Sequence, residues 1–171
     1  MKILGIDPGT TRCGWGIIEI QNPKPARHRY AQAIAGGCQM LNFGIFENGK
    51  EVLVGDRLRE LHLQIDALIK KEQPDEMAIE EIFFMNNIKT AISVAQARGV
   101  LIAVAKLNNI PVFEYKPTEI KIALTGYGHA DKTQMQKMVK LLLKLDEIPQ
   151  PDDVADALAV AICHSQSRKL Y

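Results

Sequence analysis

The chain has 171 residues, of which 47% are apolar and 24% charged, and its formal net charge is +1. This length suits one well-buried domain, predicted over 1–171 with a short flexible tail from about residue 166, and the composition excludes a disordered protein. Because no apolar run reaches the roughly 18 residues of a membrane span and no signal sequence begins the chain, we expect a cytoplasmic protein without membrane contact.

The first predicted elements form a hairpin. Lys2 to Asp7 has the pattern of a buried strand, and Gly14 to Ile20 is its partner across a glycine-bearing turn. The strand therefore ends in an acid, in the stretch Ile6-Asp7-Pro8-Gly9-Thr10-Thr11. Such a turn could hold the phosphates of a nucleotide, or its acid could hold a metal ion, and the local sequence leaves both readings open.

The next segment predicts a third strand, a helix and a fourth strand. Cys38 to Phe46 is the strand, and Asp56 to Lys71 is an amphipathic helix whose apolar residues recur at helical spacing. The short apolar run Met77-Ala78-Ile79 is typical of a central parallel strand after a crossover helix. Glu80 follows it directly, so a second acid ends a buried strand.

A second helix is predicted over Thr90 to Leu107, and it carries small residues at every fourth position. These are Ala91, Ala95, Gly99 and Ala103. A flat stripe of this kind lets another backbone approach closely. Its partner is either the sheet of the same chain or a second copy of the helix in a dimer.

The following region is basic. Pro111 to Tyr115 predicts a strand, and Asp131 with Gln134 three residues later marks a capped helix start. Between Lys116 and Lys144 there are six lysines against two acids, which indicates either a basic binding face or an ordinary solvated helix surface. Three strands followed by strands alternating with helices predict an α/β fold with a mixed sheet.

The last helix begins near Gln150-Pro151 and is apolar nearly all round over 154–162. It nevertheless contains Asp156, with Asp153 three residues earlier on the same face. Because a buried, unpaired carboxylate costs several kcal/mol or is neutralised, a compensating charge is required. Helix capping by Asp152 and Asp153, or a distant arginine beside Asp156, would be structural explanations.

Asp7, Glu80, Asp153 and Asp156 together favour a catalytic explanation. Clustered carboxylates are stable when cations lie between them, and an all-oxygen ligand set favours Mg²⁺ or Mn²⁺. Two such ions can activate water and stabilise the leaving oxygen in an attack on phosphate. The acids therefore suggest phosphodiester hydrolysis, although their spacing alone is a weak signal.

Five motifs then identify a family: ILGIDPGTTRCGWGII, AIEEIFF, AQARGV, PVFEYKPTEIK and DVADALAVAICH. In this order they closely resemble the RuvC family of bacterial Holliday junction resolvases, over nearly the whole chain. The resemblance implies an RNase H-like fold with a five-stranded mixed sheet flanked by helices. It also implies that Asp7, Glu80, Asp153 and Asp156 are catalytic and bind Mg²⁺, as two ions per site for which Mn²⁺ can substitute.

The resemblance further implies a homodimer that acts on four-way junction DNA in recombination and repair, together with the RuvA and RuvB branch-migration proteins. Each subunit would nick one of two symmetry-related strands, leaving 5′-phosphate and 3′-hydroxyl ends. Phe83 would stack on unpaired bases or pack in its loop, and Lys121 and Lys132 would lie near the scissile phosphate. Gln96 and Arg98 match a family motif for which we expect a structural or dimer-related role.

The chain departs from the family pattern in two places. Residues 21–39 form a longer segment between the second and third strands than is usual, and Asp152 adds a fifth acid that either caps the last helix or competes for metal.

Three other functions are less favoured. An actin-like ATPase or sugar kinase needs a second lobe, a different RNase H-like nuclease lacks this combination of motifs, and a module that only binds junctions has no need of four intact acids.

Overall fold

A computed structural model describes residues 1–20, 37–82 and 88–167, leaving aside the side chains of 88–90. The elements of the described part, in chain order, are β1 (Lys2–Asp7), β2 (Arg12–Ile20), β3 (Cys38–Glu47), α1 (Val54–Glu72), β4 (Glu76–Glu80), α2 (Ile88–Leu107), β5 (Val112–Tyr115), α3 (Pro117–Thr125), α4 (Lys132–Leu142) and α5 (Asp152–Ser167). Within these ranges no helix combines the length and apolar character of a membrane span. Phe83 and most of the 21–39 segment lie outside the described residues.

The five strands form one mixed sheet in the order β3-β2-β1-β4-β5. The hairpin strands β1 and β2 are antiparallel, as are β2 and β3, whereas β4 runs parallel to both β1 and β5. This arrangement confirms the predicted fold class. Ile6 of β1 pairs with Ile79 of β4, so the residues that follow them, Asp7 and Glu80, end at the same edge of the sheet.

Alternate residues of β1 bury against opposite layers of helices. Ile3 belongs to a core shared with α5, α3 and α4, while Leu4 and Ile6 belong to a core shared with α1 and α2. All three side chains are fully buried, which explains why β1 is apolar without a break. β1 is therefore covered by helices on both faces of the sheet.

Glycines let α5 lie directly on the first two strands. A methyl group built on Gly5 would lie 2.1 Å from the carbonyl oxygen of Ala157, and one built on Gly14 would lie 2.0 Å from that of Asp153. Real side chains do not tolerate such distances, so only glycine permits this approach. The depth of α5 on the sheet, and with it the position of Asp153, depends on these two residues.

The small-residue stripe of α2 does not face the sheet of the same chain. The residues that it buries toward the sheet and α1 include Ala97, Leu101 and Val104, whereas Ala95, Gly99 and Ala103 are exposed. A methyl group built on Gly99 would meet nothing within 4 Å. Packing of the small-residue stripe on the sheet of the same chain was therefore the wrong alternative, because the stripe lies on the opposite side of the helix.

Candidate active site

Two of the four predicted acids end neighbouring strands. Asp7 is the last residue of β1 and Glu80 the last of β4, and both are half-buried. Burial, followed by the negative charges of Asp156, Glu80 and Asp153, raises the pKa of Asp7 to about 8. Burial, followed by the charge of Asp156, likewise raises the pKa of Glu80 to about 7. The two strand ends thus bring their carboxyl groups into one electrostatic environment.

The first turns of α5 bring the other two acids to the same edge. Burial raises the pKa of Asp156, although the ammonium of Lys132 opposes this effect. Oδ2 of Asp153 is buried and lies 2.7 Å from Nη2 of Arg12, close enough for an ion pair but without hydrogen-bond alignment. A distant arginine was one structural explanation for Asp156, but the arginine at this edge, Arg12, pairs with Asp153, because Arg12 begins β2, on which this part of α5 packs.

This set of acids fits a hard divalent cation. All its ligand atoms are carboxylate oxygens, and the mutual repulsion that raises the pKa of Asp7 is the repulsion that such a cation relieves. Across residues 1–20, 37–82 and 88–167, no three acid, imidazole or thiol groups already surround one point at coordinating distance.

The two predicted lysines differ in their surroundings. Lys132, the first residue of α4, places Nζ 2.5 Å from Oδ2 of Asp152 and 3.3 Å from Oδ2 of Asp156. Lys121 lies on α3, and its charge partly opposes the rise in the pKa of Glu80. Both lysines therefore act on the acidic edge, whereas Phe83 lies outside the described residues.

The turn after Asp7 is held by polar contacts to other elements. Oγ1 of Thr10 and Oγ of Ser93 on α2 are 2.5 Å apart, and Nη1 of Arg57 on α1 donates to Oγ1 of Thr11 over 2.9 Å. Nδ2 of Asn48 also donates to the carbonyl oxygen of Thr10. The glycine-bearing turn is thus a hairpin bend that two helices hold in place. Its threonines already form hydrogen bonds within the protein.

Sequence reasoning missed a contact that holds the end of β4. The half-buried Arg98 on α2 donates from Nε to the carbonyl oxygen of Glu80, 3.3 Å away, and forms an ion pair with Glu114 on β5. From the sequence, Arg98 is recognisable only as part of a family motif. A mid-helix arginine on a partly apolar face was the available signal, but the sequence does not identify its acceptor.

A second missed feature is a buried hydrogen-bond network between α5 and the sheet. The fully buried His164 on α5 joins Glu76 at 2.6 Å through Nε2 and the Tyr115 hydroxyl at 2.6 Å through Nδ1. The ring of Phe113 also packs against the imidazole, with the centroids 4.5 Å apart. These hydrogen bonds therefore connect the C-terminal half of α5 to β4 and β5.

The whole chain is similar to proteins of one family. A family model described as crossover junction endodeoxyribonuclease RuvC matches residues 3–164. A relative of that name from Caldicellulosiruptor saccharolyticus is 47% identical, over 100% of this chain and 97% of the relative. Another from Clostridioides difficile is 45% identical, over 99% of this chain and 93% of the relative.

Solved structures agree with these relatives. The structure of Thermus thermophilus RuvC aligns with a TM-score of 0.84 at 31% identity, over 97% of this chain and 94% of that one. T. thermophilus RuvC in complex with Holliday junction substrate also aligns with a TM-score of 0.84, at 30% identity over 96% of this chain and 93% of that one. The similarity therefore covers the sheet, the helices and the edge that carries the acids.

Proposed function

The chain belongs to the RuvC family of crossover junction endodeoxyribonucleases, and we propose that it resolves four-way DNA junctions during recombination and repair. In this proposal it hydrolyses one phosphodiester in each of two symmetry-related strands and leaves 5′-phosphate and 3′-hydroxyl ends. The observation that supports it most is the meeting of acids from β1, β4 and α5 at one sheet edge, where their charges repel each other.

We assign Asp7, Glu80, Asp153 and Asp156 to the binding of Mg²⁺, with two ions per site and Mn²⁺ as a substitute. A metal held by these four acids would supply activation of the attacking water and stabilisation of the leaving oxygen. The protein's own contribution is to hold four oxygen ligands on three rigid elements. The strand ends fix two of them, and the close approach of α5 to Gly14 fixes the height of Asp153 above the sheet.

Basic side chains complete the proposed site. Lys121 and Lys132 are suited to hold the scissile phosphate, because each already acts on the carboxylates that would bind the metal. A positioned ammonium offsets negative charge that develops in the transition state. Stacking of Phe83 on unpaired bases stays a prediction from the family resemblance.

We further propose a homodimer in which α2 packs against its copy. The exposed Ala95, Gly99 and Ala103 support this, because they leave a flat surface of α2 without a partner in the described part of the chain. A dimer would supply two acidic edges for two strands of a symmetric junction. Cooperation with RuvA and RuvB, the cytoplasmic location and the single domain over 1–171 also stay predictions.

The test is cleavage of a synthetic four-way junction, beside linear duplex of the same sequence, with Mg²⁺ or with a chelator. Asp7→Asn should bind the junction but lose cleavage by at least about a thousandfold, since it removes a metal ligand at the reacting centre. Asp146→Asn, the same chemical change in an exposed loop, is the matched control and should cleave normally. Equal cleavage of linear duplex, or full activity of Asp7→Asn, would refute the proposal.

A further inference from the structure

Lys132 is shared between two acids of α5. Its Nζ lies 2.5 Å from Oδ2 of Asp152 and 3.3 Å from Oδ2 of Asp156. Asp152 is thus the nearer partner, although only Asp156 belongs to the four acids assigned to metal binding. The two acids are four residues apart, so they project from the same face of the helix.

These ion pairs do little to hold the fold together. The side chains of Lys132, Asp152 and Asp156 are 53%, 46% and 35% exposed, and pairs as exposed as these contribute little to stability. The position of the Lys132 ammonium therefore matters mainly for the chemistry at the acidic edge.

An ammonium beside Asp156 and a divalent cation compete for the same carboxylate. Each lowers the electrostatic cost of the Asp156 charge, so an ammonium held tightly by Asp156 weakens metal binding. A second acid within reach gives the ammonium an alternative position. Asp152 meets this requirement, because it already holds Nζ at hydrogen-bond distance.

We propose that Asp152 is a positioning residue that retains the Lys132 ammonium at the edge of the site and so leaves Asp156 available to the metal ion. This inference rests on the proposed metal-dependent function of the same acids. Asp152 acts only through Lys132, and it is neither a metal ligand nor chiefly a helix cap.

The test measures Mg²⁺ affinity from the rise in melting temperature as Mg²⁺ is added. Four proteins are compared: wild type, Asp152→Asn, Lys132→Met, and the variant with both changes. We expect Asp152→Asn to weaken the apparent Mg²⁺ affinity about threefold, the size of effect seen for exposed ion pairs. In the Lys132→Met background, Asp152→Asn should have no effect on Mg²⁺ affinity, because the competing ammonium is gone.

Two further variants sharpen the comparison. Asp152→Glu keeps a carboxylate within reach of Lys132 and should restore most of the wild-type Mg²⁺ affinity. Asp146→Asn removes one negative charge from an exposed loop position, and it should leave the affinity unchanged.

An equal loss of Mg²⁺ affinity in both backgrounds would overturn the inference, because Asp152 would then act as a ligand or through its own charge. An unchanged affinity in Asp152→Asn, with a lower melting temperature in the absence of metal, would also overturn it and assign a capping role. If wild type shows neither Mg²⁺-dependent stabilisation nor Mg²⁺-dependent cleavage, the proposed function fails and the inference fails with it. If wild type shows both, and either of the two outcomes above occurs, only the inference fails.

Discussion

Arg98 donates a hydrogen bond from its guanidinium to the main-chain carbonyl oxygen of Glu80, and thereby joins helix α2 to the strand end that carries this acid. The same guanidinium pairs with Glu114 on β5. One side chain thus links three elements at the point where β4 leaves the sheet. If α2 forms the dimer interface, Arg98 also connects that interface to the acidic edge.

Replacement of Arg98 should slow cleavage of the junction. In Arg98→Met the main-chain carbonyl of Glu80 loses a hydrogen bond from a charged donor, which contributes about 1.5 kcal/mol. If this energy is lost in the transition state, the activation free energy rises by the same amount and the cleavage rate falls about tenfold. We expect the single-turnover cleavage rate to fall about that much while junction affinity is retained. Lys106→Met, at an exposed position near the end of the same helix, is the control, and an unchanged rate for Arg98→Met would contradict the positioning role.

Gly14→Ala should disturb the site through α5. The added methyl group would meet the carbonyl of Asp153, so the helix must move away from β2. We expect a loss of about 2 kcal/mol in unfolding free energy from this overpacking. Cleavage and Mg²⁺-dependent stabilisation should both fall, as measured by the junction assay and by thermal melts.

The control for that change is Gly55→Ala in α1. A methyl group at Gly55 meets nothing within 4 Å, and alanine favours a helix over glycine by about 0.5–1 kcal/mol. The variant should therefore be slightly more stable than wild type and fully active. A Gly14→Ala protein that cleaves normally would show that α5 can shift without loss of the metal-binding geometry.

The buried hydrogen bonds of His164 predict that two substitutions lower the unfolding free energy by different amounts. His164→Leu leaves Glu76 without its imidazole partner in a buried position, and breaking such a pair costs about 3 kcal/mol. Tyr115→Phe removes one hydrogen bond to the same imidazole and should cost about 1 kcal/mol. Urea unfolding measures both changes, and an equal effect of the two variants would contradict the central role of His164.

A charge on the exposed face of α2 should separate the proposed dimer. Ala95→Arg places a long, charged side chain among small residues, while the helix backbone is unaffected because position 95 is exposed. We expect sedimentation to show monomers, with cleavage of a junction falling more than binding of Mg²⁺. Glu147→Arg on a remote exposed loop should remain dimeric, and a dimeric Ala95→Arg protein would exclude this face from the interface.

Several features could be predicted because they depend on neighbouring residues in the chain. The capped start of α4 is one example: Asp131 accepts from the backbone of Gln134, and the Gln134 side chain accepts in return from Asp131. Strand ends at Asp7 and Glu80 followed from apolar runs that stop at an acid. The bounds of the predicted helices shifted by only a few residues, since α1 starts at Val54 and not at Asp56, but the short helix α3 was not predicted.

The sequence by itself therefore determined the α/β class and the order of the elements that it predicted, although α3 was not among them, and it nominated the four acids, because apolar periodicity and short motifs are local properties. Only the tertiary structure decided which groups meet across the sheet. Arg12 pairs with Asp153, Lys132 lies between Asp152 and Asp156, and Arg98 reaches Glu80. These contacts depend on how closely α5 packs on Gly5 and Gly14, and that distance is set by steric fit between segments far apart in the chain.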